Sequence, residues 1–189
     1  SVYSGWLAYS TFDHEWVKHQ IEDTTVEEVL IKNWPGLHIE PLQAPENMEV
    51  LIGWTGSPAS SPHFVSEVKR LKSDPSFYGD FLEDSHRCVE KLIHAFKTNN
   101  IKGVQKMVRQ NRTIIQRMDK EATVDIETEK LKYLCDIAEK YHGASKTSGA
   151  GGGDCGITII NKDVDKEKIY DEWTKHGIKP LKFNIYHGQ

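Results

Sequence analysis

The feature that most constrains this chain is Lys146-Thr147-Ser148-Gly149-Ala150-Gly151-Gly152-Gly153-Asp154-Cys155-Gly156, in which five of eleven residues are glycine. It lies between a helical pattern ending near Tyr141 and an apolar run from Ile157 to Ile160. Glycine lacks a Cβ, so it accepts positive φ and lets the backbone approach another group closely. Successive free amides in such a bend form a concavity that attracts oxyanions. Thr147 and Ser148 add hydroxyls and Lys146 adds a cation. The combination suits a phosphate.

Two common glycine motifs do not fit. A Walker loop places Lys and Ser/Thr after its second glycine, and no lysine follows these glycines. A dinucleotide fingerprint needs Gly-x-Gly-x-x-Gly between a strand and a helix. Here Asp154 occupies the third glycine position, and the expected order is helix before and strand after. A flexible linker is the bland alternative, but linkers do not usually run straight into so apolar a strand.

The net charge of −4 gives no reason to expect a nucleic acid or an anionic membrane as partner. No apolar run approaches the roughly 20 residues that span a bilayer. Cys88, Cys135 and Cys155 are odd in number and far apart, which favours a reducing cytoplasmic setting over a disulfide framework. The nine histidines fall at spacings that make no metal set, and neither Cys-x-x-Cys nor His-Glu-x-x-His occurs, so no metal site is expected. Cys155 has no base beside it in sequence and is not taken as a nucleophile. At 189 residues the chain can hold one large domain or two small ones.

Along the chain, residues 6–12 suit a strand. Residues 24–33 read as a short helix capped by Thr24 or Thr25 and stopped by Pro35-Gly36. Residues 37–42 alternate as a strand. Val50-Leu51-Ile52 with Trp54 is a second strand, expected to pair with it. Trp54 to Ser61 is rich in hydroxyls, and Ser57 or Ser60 can cap a following helix. That stretch reads either as an anion site at a helix start or as a plain capped turn.

Helices are expected over 64–71 and 76–96, then along the stripe Val104, Met107, Val108, Ile114, Ile115 and Met118. Asn111 falls inside that stripe and needs a partner. With Arg112 it is either a support for the glycine bend or a self-satisfied core residue. Leu131, Leu134, Cys135, Ala138 and Tyr141 mark one more helix. Beyond the bend, 156–161 reads as a strand. Asp163 is expected to cap a helix ending at His176-Gly177, and 181–185 should close as a strand. This is an α+β pattern, with helices layered on one sheet.

The bend resembles the third signature of the GHMP kinases, and its Ser-Gly-Ala-Gly-Gly-Gly-Asp-Cys-Gly form is most similar to the bacterial members that phosphorylate phosphomevalonate. Trp34 to Leu42 and Trp54 to Ser60 resemble two further stretches of those enzymes. The resemblance covers the whole chain. It implies ATP- and Mg²⁺-dependent conversion of (R)-5-phosphomevalonate to the diphosphate in the mevalonate route to isoprenoids. It implies an α+β GHMP C-terminal domain, helices on a small antiparallel ferredoxin-like sheet, over residues 61–189. Residues 1–60 would be the remainder of the N-terminal domain. Carried over by position, Ser57, Ser148, Gly149, Ala150 and Gly151 would contact the phosphorylated substrate, with Lys146, Asn111 and Arg112 in support.

The family's Pro-x-x-x-Gly-Leu-Gly-Ser-Ser nucleotide loop is absent from these residues, and its catalytic aspartate would lie upstream of Ser1. We therefore expect the C-terminal half of the enzyme, with the N-terminal half as its missing partner, and an isolated chain that is inactive. Two alternatives stay open: another GHMP small-molecule kinase, and a non-catalytic anion-binding module.

Overall fold

The computed structural model describes residue 3 and residues 5–58, 74–149 and 151–185. Contacts divide the chain into two compact units, one running up to Gln43 with Ile185 added and the other from Ala44 to Asn184. The helix expected over 64–71 lies outside the described residues.

In the first unit, β1 (Trp6–Ser10) pairs antiparallel with β2 (His38–Leu42), Trp6 opposite Leu42 and Ser10 opposite His38. Between them run α1 (His14–Asp23) and α2 (Val26–Leu30). Asp13 caps α1 by accepting from the Trp16 amide, and Thr25 caps α2 by accepting from Glu28. Thr24 instead ends α1. The sequence pattern missed α1, because Val17 is its only buried residue among those described.

The second unit holds β3 (Met48–Trp54), α3 (Pro75–Lys97), α4 (Ile101–Ala122), α5 (Glu129–Lys140), β4 (Ala144–Thr147), β5 (Cys155–Asn161), α6 (Lys166–Lys175) and β6 (Lys179–Leu181). Its sheet order is β4-β5-β3-β6, antiparallel throughout. This is a ferredoxin-like α+β sheet with helices against it. Asp74, Asn100 and Thr128 cap α3, α4 and α5 through their side chains, the arrangement that short polar residues favour at helix starts.

Several expectations need correction. β3 pairs with β5 and β6, not with β2. It therefore joins the second of the two contact units, which begins at Ala44. The reason lies in packing against α5. Gly53 of β3 faces Gly156 of β5. A Cβ at either glycine would lie within 2.7 Å of a Leu134 methyl. Two adjacent glycines thus open a seat for Leu134, and α5 drops close onto the sheet. Leu134, Leu51, Ile160, Ile169, Trp173 and Ile178 form the core there, and Trp173 Nε1 donates to the Leu134 carbonyl at 3.0 Å.

A strand, β4, precedes the glycine bend where a helix was expected to lead directly into it. Helix α6 starts after Asp165, which makes no side-chain capping bond, so Asp163 is not its cap. The closing strand is Lys179–Leu181, earlier than expected, and Phe183 is exposed.

Candidate functional site

Strands β4 and β5 form a hairpin whose tip is the glycine bend. Thr147 pairs with Gly156, and the Ser148 amide donates to the Cys155 carbonyl at 2.9 Å. Two further amides of the bend are tied down. Gly152 N–H donates to the Ile126 carbonyl at 2.7 Å, and Asp154 N–H donates to the Ser57 carbonyl at 2.6 Å. Thr55 N–H returns a bond to the Asp154 carbonyl at 2.8 Å. The end of β3 and the bend are therefore fastened together, and Ser57 is part of the fastening. Lys130 Nζ, from the first turn of α5, donates to the Thr55 carbonyl at 2.9 Å and secures the same strand end.

Among the described residues, no acceptor meets the amides of Gly149, Gly151 or Gly153. Gly149 is exposed, while Gly151 and Gly153 are buried against Ile126 and Ser57. At Gly151, φ is +79°, and a Cβ would stand 2.5 Å from the Ile126 carbonyl oxygen. Only glycine meets both demands, the left-handed backbone and the close approach. Gly149 is exposed beside the half-buried Ser148, and free amides in such a bend bind oxyanions.

These bonds join the Ser57 turn to the bend that carries Ser148, Gly149 and Gly151. Ala150 lies outside the described residues. Lys146 and Thr147 are strand residues rather than bend residues. Lys146 Nζ donates to the Thr147 carbonyl at 2.8 Å, and burial pushes its pKa below the ordinary lysine value. Thr147 Oγ1 is buried without a partner, so its hydroxyl faces inward and is not offered at the bend. Asn111 is half-buried on α4, and no described hydrogen bond links it to the bend.

Arg112 connects indirectly. Its guanidinium clamps the carboxylate of Glu127, the residue after Ile126, with Nε at 3.1 and 3.0 Å from the two oxygens and Nη2 bonded to Oε1. It also reaches Asp136 of α5 at 2.9 Å. Burial works against the Arg112 charge, and the hydrogen bonds it donates to Glu127 lead the interactions that outweigh it, so the pKa is raised. Ile126, Glu127 and Lys130 carried no sequence signal. Ile126 acts through its carbonyl, and the other two look like ordinary charges near a helix start.

Cys155 is a poor nucleophile. Burial first, and then the neighbouring Asp154 carboxylate, push its thiol above the ordinary cysteine value. Among the described residues, no group of three His, Cys, Asp or Glu side chains could hold a metal ion. No described helix is long and apolar enough to cross a membrane.

The profile of the GHMP kinases C-terminal family matches residues 92–179. These carry the end of α3, then α4, α5, β4, the bend, β5 and α6. The chain carries a GHMP kinase C-terminal domain. It is 33% identical over 184 residues to a phosphomevalonate kinase of Streptomyces sp. strain CL190, covering 96% of this chain and 49% of the relative. This chain thus spans about half the length of that relative. A crystal structure of the Lin0012 protein from Listeria innocua superposes with a TM-score of 0.90 at 40% identity, covering 96% of this chain and 51% of that one. The Streptococcus pneumoniae phosphomevalonate kinase, solved in complex with phosphomevalonate and AMPPNP, superposes with a TM-score of 0.80 at 26% identity, over 93% of this chain and 50% of that one. In this GHMP domain the hairpin tip, the end of β3 and the start of α5 meet at the glycine bend.

Proposed function

We propose that this chain forms the acceptor side of a phosphomevalonate kinase, within a longer enzyme that transfers the γ-phosphoryl group of ATP to the 5-phosphate of (R)-5-phosphomevalonate. The observation that carries the reading is the Asp154–Ser57 bond, which joins the glycine bend to the hydroxyl-rich end of β3. Likeness to enzymes of that name supports it.

In this reading the Ser148 hydroxyl and the Gly149 amide hold the acceptor phosphate. Ser57 lines the opposite edge, and Lys130 keeps that edge in place through Thr55. An attacking phosphate oxygen held in this way meets the γ-phosphorus in line, and the bridging oxygen leaves with ADP. Positioning and charge neutralisation account for most of catalysis in such transfers. The bend lacks the lysine that follows the glycines of a Walker loop. The nucleotide loop and the catalytic aspartate are assigned to an N-terminal half, of which the unit ending at Gln43 would be the remainder. The chain alone would be inactive.

A substrate panel on the longer enzyme tests this. With ATP present, phosphomevalonate should support ADP release, whereas mevalonate, homoserine and galactose should not. Comparable turnover of unphosphorylated mevalonate would contradict an acceptor site built for phosphate.

A further inference from the structure

The connection between α4 and α5, residues 123–128, lies directly beneath the bend. Gly152 donates to its Ile126 carbonyl, and Gly151 rests against the Ile126 side chain. Ile126 is itself only 3% exposed. The bend therefore cannot tilt without displacing Ile126.

Three side chains immobilise that residue. Asp119, in the last turn of α4, accepts the Ile126 amide on Oδ1 at 2.9 Å and the Glu127 amide on Oδ2 at 3.1 Å. Both carboxylate oxygens are needed, because the two amides are consecutive donors. Glu127 has a side chain only 4% exposed. Arg112 grips both of its oxygens, and Gln116 Nε2 adds a bond to Oε2 at 2.9 Å. Arg112 also spans to Asp136, so the clamp links α4, the connection and α5.

We propose that Asp119, Arg112 and Glu127 are positioning residues that fix the Ile126 carbonyl and, through it, the conformation of the glycine bend and its grip on the acceptor phosphate. The last clause rests on the function proposed above. The mechanical part does not.

The test uses Asp119→Asn and Arg112→Lys in the longer enzyme. The asparagine amide presents a donor to one of the two backbone donors. The lysine keeps the charge but loses the two-pronged grip. Hydrogen exchange is followed in a peptide covering 148–154, with one covering 156–161 as the fold control. Steady-state kinetics are measured on the same preparations.

Asp119→Asn should speed exchange in 148–154 by about tenfold, the effect of losing one charge-assisted bond. The 156–161 peptide should be unchanged. The KM for phosphomevalonate should rise by about the same factor, with the KM for ATP within about twofold. Arg112→Lys should give the same pattern at smaller amplitude. It decides the matter if Asp119→Asn does not fold. Wild-type exchange in 148–154 in a folded variant overturns the positioning role, whatever the kinetics. Faster exchange with an unchanged phosphomevalonate KM upholds the positioning role and contradicts the acceptor-phosphate reading.

Discussion

Gly151→Ala is expected to unseat the glycine bend and to lower stability by about 2–4 kcal/mol, adding a left-handed backbone penalty to an overpacking penalty. The new methyl would meet Ile126 Cγ2 at 2.3 Å and the Ile126 carbonyl oxygen at 2.5 Å. The carbonyl cannot yield, because Asp119 and the Glu127 clamp hold the backbone on either side of it. Gly149→Ala is the internal comparison. Its φ of +106° is also unfavourable for alanine, but among the described residues nothing lies within 4 Å of the added atom. Urea denaturation of both variants separates the two terms. Gly151→Ala should lose clearly more stability than Gly149→Ala. Equal losses would mean that backbone conformation, and not contact with Ile126, decides the fit.

Glu127→Ala should cost about 3 kcal/mol, the low end for breaking a buried ion pair, since it strands a guanidinium in the interior. The Arg112 side chain is 14% exposed, and Asp136 remains to pair with it, which is why the low end applies. Lys132→Ala removes a mostly exposed partner of the same Asp136 and should cost less than about 1 kcal/mol. Replacing both members, as Arg112→Met with Glu127→Leu, should recover much of the loss, because two apolar side chains leave no charge unpaired. Thermal unfolding of the three variants provides the comparison. A Glu127→Ala loss no greater than that of Lys132→Ala would show that the clamp contributes little.

The parts of the fold that could be read from the residues are those whose information is local. Helices α3, α4 and α5 show apolar spacing and carry their own caps, and β5 is mostly apolar, with Ile157, Ile159 and Ile160. β4 was hidden because its buried side chains are Ala144, Ser145 and Thr147. Two of these are polar, and Ser145 meets its need across the sheet, bonding Thr158 Oγ1 at 2.9 Å and the Ile157 carbonyl at 2.8 Å. Hydropathy registers no strand there. The partner of β3 was illegible for another reason. Its pairing with β5 depends on Gly53 meeting Gly156 over Leu134, three positions far apart in the chain.

At the site, the glycine run and the serine turn each stood out by composition. That they adjoin is a matter of backbone bonds between Asp154, Ser57 and Thr55. The floor under the bend was invisible, since a carbonyl oxygen is common to every residue. Arg112 was picked out as a possible support, and it bonds Glu127, the residue after Ile126. Among the described residues, no hydrogen bond ties Asn111, chosen with it, to the bend.

The most direct test of the acceptor-phosphate reading is Ser148→Ala in the longer enzyme, with KM measured separately for phosphomevalonate and for ATP. Loss of a hydroxyl that bonds a charged phosphate should raise the phosphomevalonate KM by about tenfold and leave the ATP value nearly unchanged. Equal changes in both would contradict the account, because Ser148 would then be holding the fold and not the acceptor.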